Sequence, residues 1–207
     1  MRLGIFGGTF DPPHLGHLIL AEEARFQLNL FQVLWVLTPS PPHKDGSEVS
    51  PWEIRRDLVS AAIEDDPQFE LSTVDIDRPP PHYAYETLDI LHESYPGAEL
   101  IYLMGGDSLR DLPGWERPPD FLTACDAIGV MRRPSDDIDL PALELVLPGV
   151  SAKVRFVEAP LLEISGSEIR RRAMSDEPIK YYLPRAVFRI IQELKLYGYT
   201  RIMENRQ

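Results

Sequence analysis

With 207 residues, 43% hydrophobic and 26% charged, the chain has the make-up of a globular protein able to bury a sizeable core, at a length usual for one domain. Its formal charge of −12 argues against broad binding to nucleic acid, which calls for a basic surface, yet leaves room for an anionic small ligand held by a few focused cations. No run of about 18 apolar residues suggests a membrane span, the opening MRLGIFGG is too short for a signal-peptide core, and one cysteine, Cys125, excludes an internal disulfide and suits a reducing cytoplasm.

In chain order, β-rich runs are expected at 2–6, 33–38, 71–76, 99–104, 127–131 and 152–157. Segments of helical period fall at 14–29, 51–65, 84–94, 115–124, 139–147, 165–175 and 184–196. In 51–65, Trp52, Ile54, Leu58, Ala61 and Ala62 share one side, which puts Arg55 and Arg56 elsewhere. Most of the 20 prolines stand at joints such as TPSPPHK, DRPPPH, ERPPD and RRPSDD, where a residue without an N–H ends an element. Strands that are nearly continuous apolar runs need cover on both faces. Strand–helix alternation therefore predicts an α/β, Rossmann-like doubly wound parallel sheet. The expected organisation is one domain over 1–207 with a small helical C-terminal part from about 160. In such sheets ligands bind beyond the carboxyl ends of strands, so the stretches that follow strands carry the functional interest.

The first of these is GGTFDPPHLGH, residues 7–17. Gly7 and Gly8 permit a tight turn and close approach of backbone to a ligand. Asp11 before Pro12 and Pro13 reads as a helix cap. His14 and His17 then share a face of the first turn, where free N–H groups and the helix dipole favour an anion and two imidazoles add donors able to become cationic. Metal ligation by this pair is not expected, since no cysteine is near and Asp11 serves better as a cap. TPSPPHKDG offers His43 and Lys44 on a proline-stiffened loop. MGGDSLRDLPGW offers Gly105, Asp107 as an acceptor for hydroxyl or amino groups, and Trp115 as core packing or a face for stacking. MRRP ends the fifth strand with Arg132 and Arg133, a solvated pair or a phosphate clamp. In EISGSEIRRR, Ser165 or Ser167 can cap the next helix, Glu168 has capping-box spacing, and Arg170 can reach the same anion site. Cys125, within FLTACDAIGV, reads as inert packing.

These stretches together resemble the nucleotidyltransferase superfamily that carries a histidine-x-glycine-histidine motif. The longer matches are similar to the family of bacterial nicotinate-mononucleotide adenylyltransferases, with the likeness running from Leu3 to about Gly198. The resemblance implies adenylyl transfer from ATP to nicotinate mononucleotide in NAD biosynthesis, with Mg2+ held mainly through the ATP phosphates. His14, His17 and Arg170 are the implied catalytic groups. Gly7, Gly8, Thr9, Phe10, Gly105, Asp107, Arg133, Ile164, Ser165 and Ser167 join them in binding ATP. His43, Lys44, Tyr83, Ala84, Thr87, Trp115 and Arg133 are the implied mononucleotide contacts, Lys44 and Arg133 serving either phosphate site. HYAYETLDIL departs from the family pattern, which places threonine where this chain has Ala84 and keeps the second threonine, Thr87. Nicotinamide mononucleotide and phosphopantetheine stay open as acceptors, and a non-catalytic nucleotide-binding regulator is the reading from another class. The expected setting is cytoplasmic, with no nucleic acid or membrane partner and homo-oligomerisation left open.

Overall fold

The computed structural model describes residues 1–40, 49–132, 138–160 and 162–200. Its elements run β1 (Arg2–Gly8), α1 (Leu15–Gln27), β2 (Gln32–Leu37), α2 (Trp52–Ile63), β3 (Phe69–Ser72), α3 (Ala84–Ser94), β4 (Glu99–Gly105), α4 (Gly106–Asp111), α5 (Pro118–Ala124), β5 (Ala127–Arg132), α6 (Leu140–Val146), α7 (Val150–Lys153), β6 (Val154–Glu158), α8 (Gly166–Met174) and α9 (Arg185–Glu193), with short 3-10 turns at Leu112–Gly114, Lys180–Tyr182 and Leu196–Gly198. All strand pairs are parallel, in the order β3-β2-β1-β4-β5-β6. The chain winds outward from β1 through β2 and β3, then returns to the other side of β1 to start β4. The switch point therefore lies between the carboxyl ends of β1 and β4, as the doubly wound reading requires.

Val33 to Leu37 of β2 are all buried, because apolar side chains on both pleat faces meet helices. One core cluster joins Leu3, Ile5, Leu34 and Leu100 to α3 and α5, and a second joins Phe6, Trp35 and Leu103 to α1. A third core lies in the helical part: Ile169, Ala173, Val187, Phe188 and Ile191 pack on Leu58 of α2. Cys125 is buried in the first of these cores as packing, and desolvation pushes its thiol up to about 11, far from a reactive thiolate.

Three local expectations change. The third strand is Phe69–Ser72, not 71–76, because residues from Thr73 turn: Asp77 N–H donates to the Thr73 carbonyl. The helix expected over 115–124 begins only at Pro118, while a short helix that was not expected, α4, forms upstream at Gly106. Arg55, expected outside the apolar side of its helix, is only 1% exposed.

Candidate active site

Where β1 ends, Thr9 and Phe10 leave the sheet toward the switch point. Phe10 adopts a left-handed φ of 48° and sends its ring into the core, 5.5 Å from Phe6 and 5.1 Å from Trp35 by ring centroids. That anchor leaves the backbone of this residue at the cleft wall and supports the turn that follows.

Asp11 does not cap α1; His14 is the N-cap residue. The Asp11 carboxylate, 4% exposed, instead accepts from the Tyr197 hydroxyl at 2.7 Å and from the Ser50 N–H at 3.0 Å. Its backbone carbonyl accepts from Arg170 Nη1 at 2.7 Å. A buried carboxylate needs such donors more than a helix end needs a cap.

His14 and His17 stack, with ring centroids 3.6 Å apart and planes at 22°. The His14 N–H donates to His17 Nδ1 at 3.2 Å, which leaves the His17 ring proton on Nε2. Burial first, and the neighbouring His14 second, hold the His17 pKa well below the usual imidazole value. His17 is accordingly a neutral N–H donor near pH 7, where the sequence suggested an imidazole ready to become cationic. Gly16 leaves room for the stack: a Cβ there would stand 3.1 Å from His14 Nδ1, a tight contact.

α8 brings the second set of donors. Ser165 is its N-cap, accepting from the Glu168 N–H at 3.2 Å, and the Ser165 and Ser167 hydroxyls lie 3.1 Å apart. Glu168 does not close a capping box; its carboxylate pairs with Arg171 and Arg172. A Cβ on Gly166 would stand 2.8 Å from the Asp11 carbonyl oxygen, so only glycine lets this helix start so close to the first loop.

These pieces line one cleft of about 870 Å³ at the switch point, built from the loop after β1 and the first turns of α1, from Asp107 and Ser108 after β4, and from Ala159, Pro160, Leu162, Ile164 and the start of α8 after β6. It gathers Thr9, Phe10, His14, His17, Asp107, Ile164, Ser165, Ser167 and Arg170. Gly7, Gly8 and Gly105 do not line it. At Gly8 a Cβ would strike the Phe10 ring at 2.7 Å, and at Gly105 it would meet the Asp107 carboxylate.

Beside it, a smaller cavity of about 40 Å³ is lined by Gly7, Thr38, Asp75, His82, Ala84, Thr87 and Tyr102. Thr87 is buried, and its hydroxyl donates toward Asp75 at 2.8 Å or the Tyr83 carbonyl at 3.1 Å while accepting from Arg78 at 3.1 Å. Trp115 is half-buried, edge-on to Tyr102 and Phe121, and Tyr83 stacks on Tyr85; neither Trp115 nor Tyr83 lines either cavity. His43, Lys44 and Arg133 lie outside the described residues, as does the Arg132 side chain.

Arg55 is the residue the sequence reading missed. Its guanidinium donates to the carbonyls of Thr9, Thr38, Pro39 and Ser50 at 2.6–2.9 Å, tying the loops after β1 and β2 together. Burial lowers its pKa, opposed by the charge of Asp11. Among the described residues, no group of three or more His, Cys, Asp or Glu side chains is placed to hold a metal, and no helix is long and apolar enough to cross a membrane.

Residues 5–172 match the family described as cytidylyltransferase-like. A protein of Thermomicrobium roseum named "Probable nicotinate-nucleotide adenylyltransferase" is 41% identical over 202 residues, covering 98% of this chain and 94% of the relative. A Roseiflexus protein of the same name is 42% identical over 196 residues, covering 94% and 97%. Among solved structures, the nicotinic acid mononucleotide adenylyltransferase of Plasmodium falciparum complexed with NaAD superposes with a TM-score of 0.77 at 20% identity, covering 96% of this chain and 98% of that one, a likeness of fold. The chain belongs to the cytidylyltransferase-like family and, within it, to the bacterial nicotinate-nucleotide adenylyltransferases.

Proposed function

We propose that the cleft transfers the adenylyl group of ATP to nicotinate mononucleotide, giving nicotinate adenine dinucleotide and pyrophosphate. The single observation that carries this reading is the convergence, in one cleft, of a stacked histidine pair, the serine-capped start of α8 and Arg170. Those are phosphate donors of three kinds, set where a doubly wound sheet binds its ligand.

In this reading a phosphate oxygen of the mononucleotide attacks the ATP α-phosphorus in line, a new P–O bond forms, and the bond to the β-phosphate bridging oxygen breaks. The nucleophile is already an anion, so no side chain needs to take its proton. The chain's work is to hold two polyanions together and to meet the charge that builds on the α-phosphate and on pyrophosphate. His14, His17 and Thr9 serve the α- and β-phosphates, Ser167 and Arg170 the outer ones, and Asp107 the nucleoside. Arg170 spends one donor on Asp11, which aims its remaining N–H groups. Lys44 and Arg133 complete the phosphate set from outside the described residues. The cleft's imidazole, hydroxyl and guanidinium groups suit phosphate oxygens better than a hard cation, so Mg2+ would arrive on the nucleotide, where it neutralises phosphate charge. The cytoplasm is the proposed setting.

Pyrophosphate release with ATP, Mg2+ and each of three acceptors tests the reading. Nicotinate mononucleotide should give the highest kcat/KM, ahead of nicotinamide mononucleotide and phosphopantetheine. Preference for phosphopantetheine overturns the acceptor, and no release with any of the three overturns the enzyme. Ala84→Thr, run beside the wild type, shows how far that position sets the choice between acid and amide.

A further inference from the structure

We propose that Tyr197, in the segment that follows the last helix, is a positioning residue for phosphate transfer: through Asp11 it holds the loop that carries His14 and the carbonyl that aims Arg170. The inference rests on the function proposed for the cleft, but it begins from a contact that function does not require.

Asp11 and Tyr197 are 186 positions apart, yet the Tyr197 hydroxyl donates to Asp11 Oδ1 at 2.7 Å. Asp11 lines the cleft and is nearly inaccessible to water. A carboxylate in that position must be met by donors, and its two side-chain oxygens are met by one hydroxyl and one backbone N–H. The hydroxyl is the only one of these two that mutation can delete without touching the main chain.

The backbone at the donor's end is unusual. Lys195 and Tyr197 both adopt left-handed φ, 51° and 57°, and Gly198 follows at 73°. Two side-chain-bearing residues in that region are costly, and such strain persists where surrounding structure imposes it. The surroundings here are specific: Tyr199 is buried against Phe188 of α9, and the segment packs on α8, the helix that carries Arg170. Burial and the Asp11 charge raise the Tyr197 pKa far above its ordinary value, so the phenol stays a protonated donor at any working pH.

Three separate parts of the chain thus converge on one residue of the signature loop: the segment before α2 through Ser50, α8 through Arg170, and the last segment through Tyr197. Without the phenol hydroxyl, buried Asp11 Oδ1 loses the donor that meets it here. The carboxylate must then turn toward water, and that change releases the Asp11 main chain, with His14 three residues on. Misplacement of donors by about 1 Å can cost about 100-fold in rate.

The test is Tyr197→Phe in the full chain, with Tyr182→Phe as a control from the same helical part that does not line the cleft. Well below the melting midpoints, Tyr197→Phe should lower kcat by about 10- to 100-fold while KM for ATP and for nicotinate mononucleotide moves less than about threefold. Tyr182→Phe should leave both unchanged. Hydrogen exchange gives a readout that does not depend on turnover: amides of residues 9–18 should exchange faster in Tyr197→Phe, with β4 and α5 unaffected. Unchanged kcat, a rise confined to KM, or uniform acceleration of exchange overturns the role. If the wild type itself releases no pyrophosphate, the proposed reaction fails, and the local exchange at 9–18 still decides whether Tyr197 holds the loop.

Discussion

His14 and His17 lie face to face at 3.6 Å, and the backbone N–H of the first fixes the ring proton of the second on Nε2. Two imidazoles this close cannot both carry charge cheaply, so the geometry favours one neutral donor of fixed tautomer. His17→Ala should therefore lower kcat about 10²- to 10³-fold, with a much smaller effect on substrate binding, because a preorganised donor acts where charge builds. Steady-state kinetics with both substrates varied would check it, and equal weakening of both KM values with kcat intact would refute it.

The same pair has a consequence for stability. His17 has a folded pKa well below the unfolded value of about 6.5, so the unfolded chain binds its proton first as pH falls. Above about pH 6.5 the two states do not differ in this proton, and the group leaves stability unchanged there. As pH falls from about 6.5 through the lower folded value, the native state loses stability progressively. Without nucleotide, the melting temperature of wild type should drop more steeply between about pH 7 and 5 than that of His17→Ala. Parallel curves would show that His17 is already able to charge in the fold.

The start of α8 allows a sharper separation of roles. Ser165 is the N-cap, so Ser165→Ala should cost about 1 kcal/mol of stability. Aspartate is an equally good cap, so Ser165→Asp should restore that stability while placing a negative charge in the cleft. Its KM for ATP should rise about tenfold or more if phosphates sit there. Melting curves and ATP saturation on the two variants would read both halves, and a Ser165→Asp protein with normal ATP saturation would move the triphosphate elsewhere.

Gly166→Ala is the corresponding test of close approach. Its Cβ would meet the Asp11 carbonyl oxygen at 2.8 Å, a backbone atom that cannot rotate away. The helix start must shift outward, stretching the 2.7 Å bond from Arg170 to that carbonyl. A loss of about 100-fold in kcat/KM is expected, with helix content retained by circular dichroism. Near-normal activity would mean that the Asp11–α8 contact does not set the phosphate site.

Much of this site was legible because its elements are local. The helix over 84–94 has the observed bounds of α3, and the histidine pair and Ser165 cap are short-range patterns that spacing reveals. The alternation of elements sufficed for the parallel sheet. Long-range polar contacts were not legible in the same way. Asp11 looked like a helix cap because aspartate before proline is a local signal, whereas its partners Ser50 and Tyr197 come from distant segments. The short helix α4 was missed because glycine is a weak helix signal, yet glycine after a buried strand also lets a helix begin against the sheet.

Arg55 shows the limit of periodicity most directly, since an arginine among apolar helix neighbours reads as surface while its guanidinium meets four carbonyls. Carbonyls that lose a buried donor are costly, at about 1–3 kcal/mol for each left unmet. Arg55→Ala should therefore destabilise the fold by at least about 3 kcal/mol, measured by urea unfolding. Arg55→Lys should recover little, because a single ammonium has three donors and lacks the planar fork that spans both loops. Arg55→Met keeps the apolar stem and separates packing from hydrogen bonding: it should remain closer to Arg55→Ala than to wild type. A methionine variant as stable as wild type would show that the stem, not the four carbonyl contacts, holds the loops after β1 and β2.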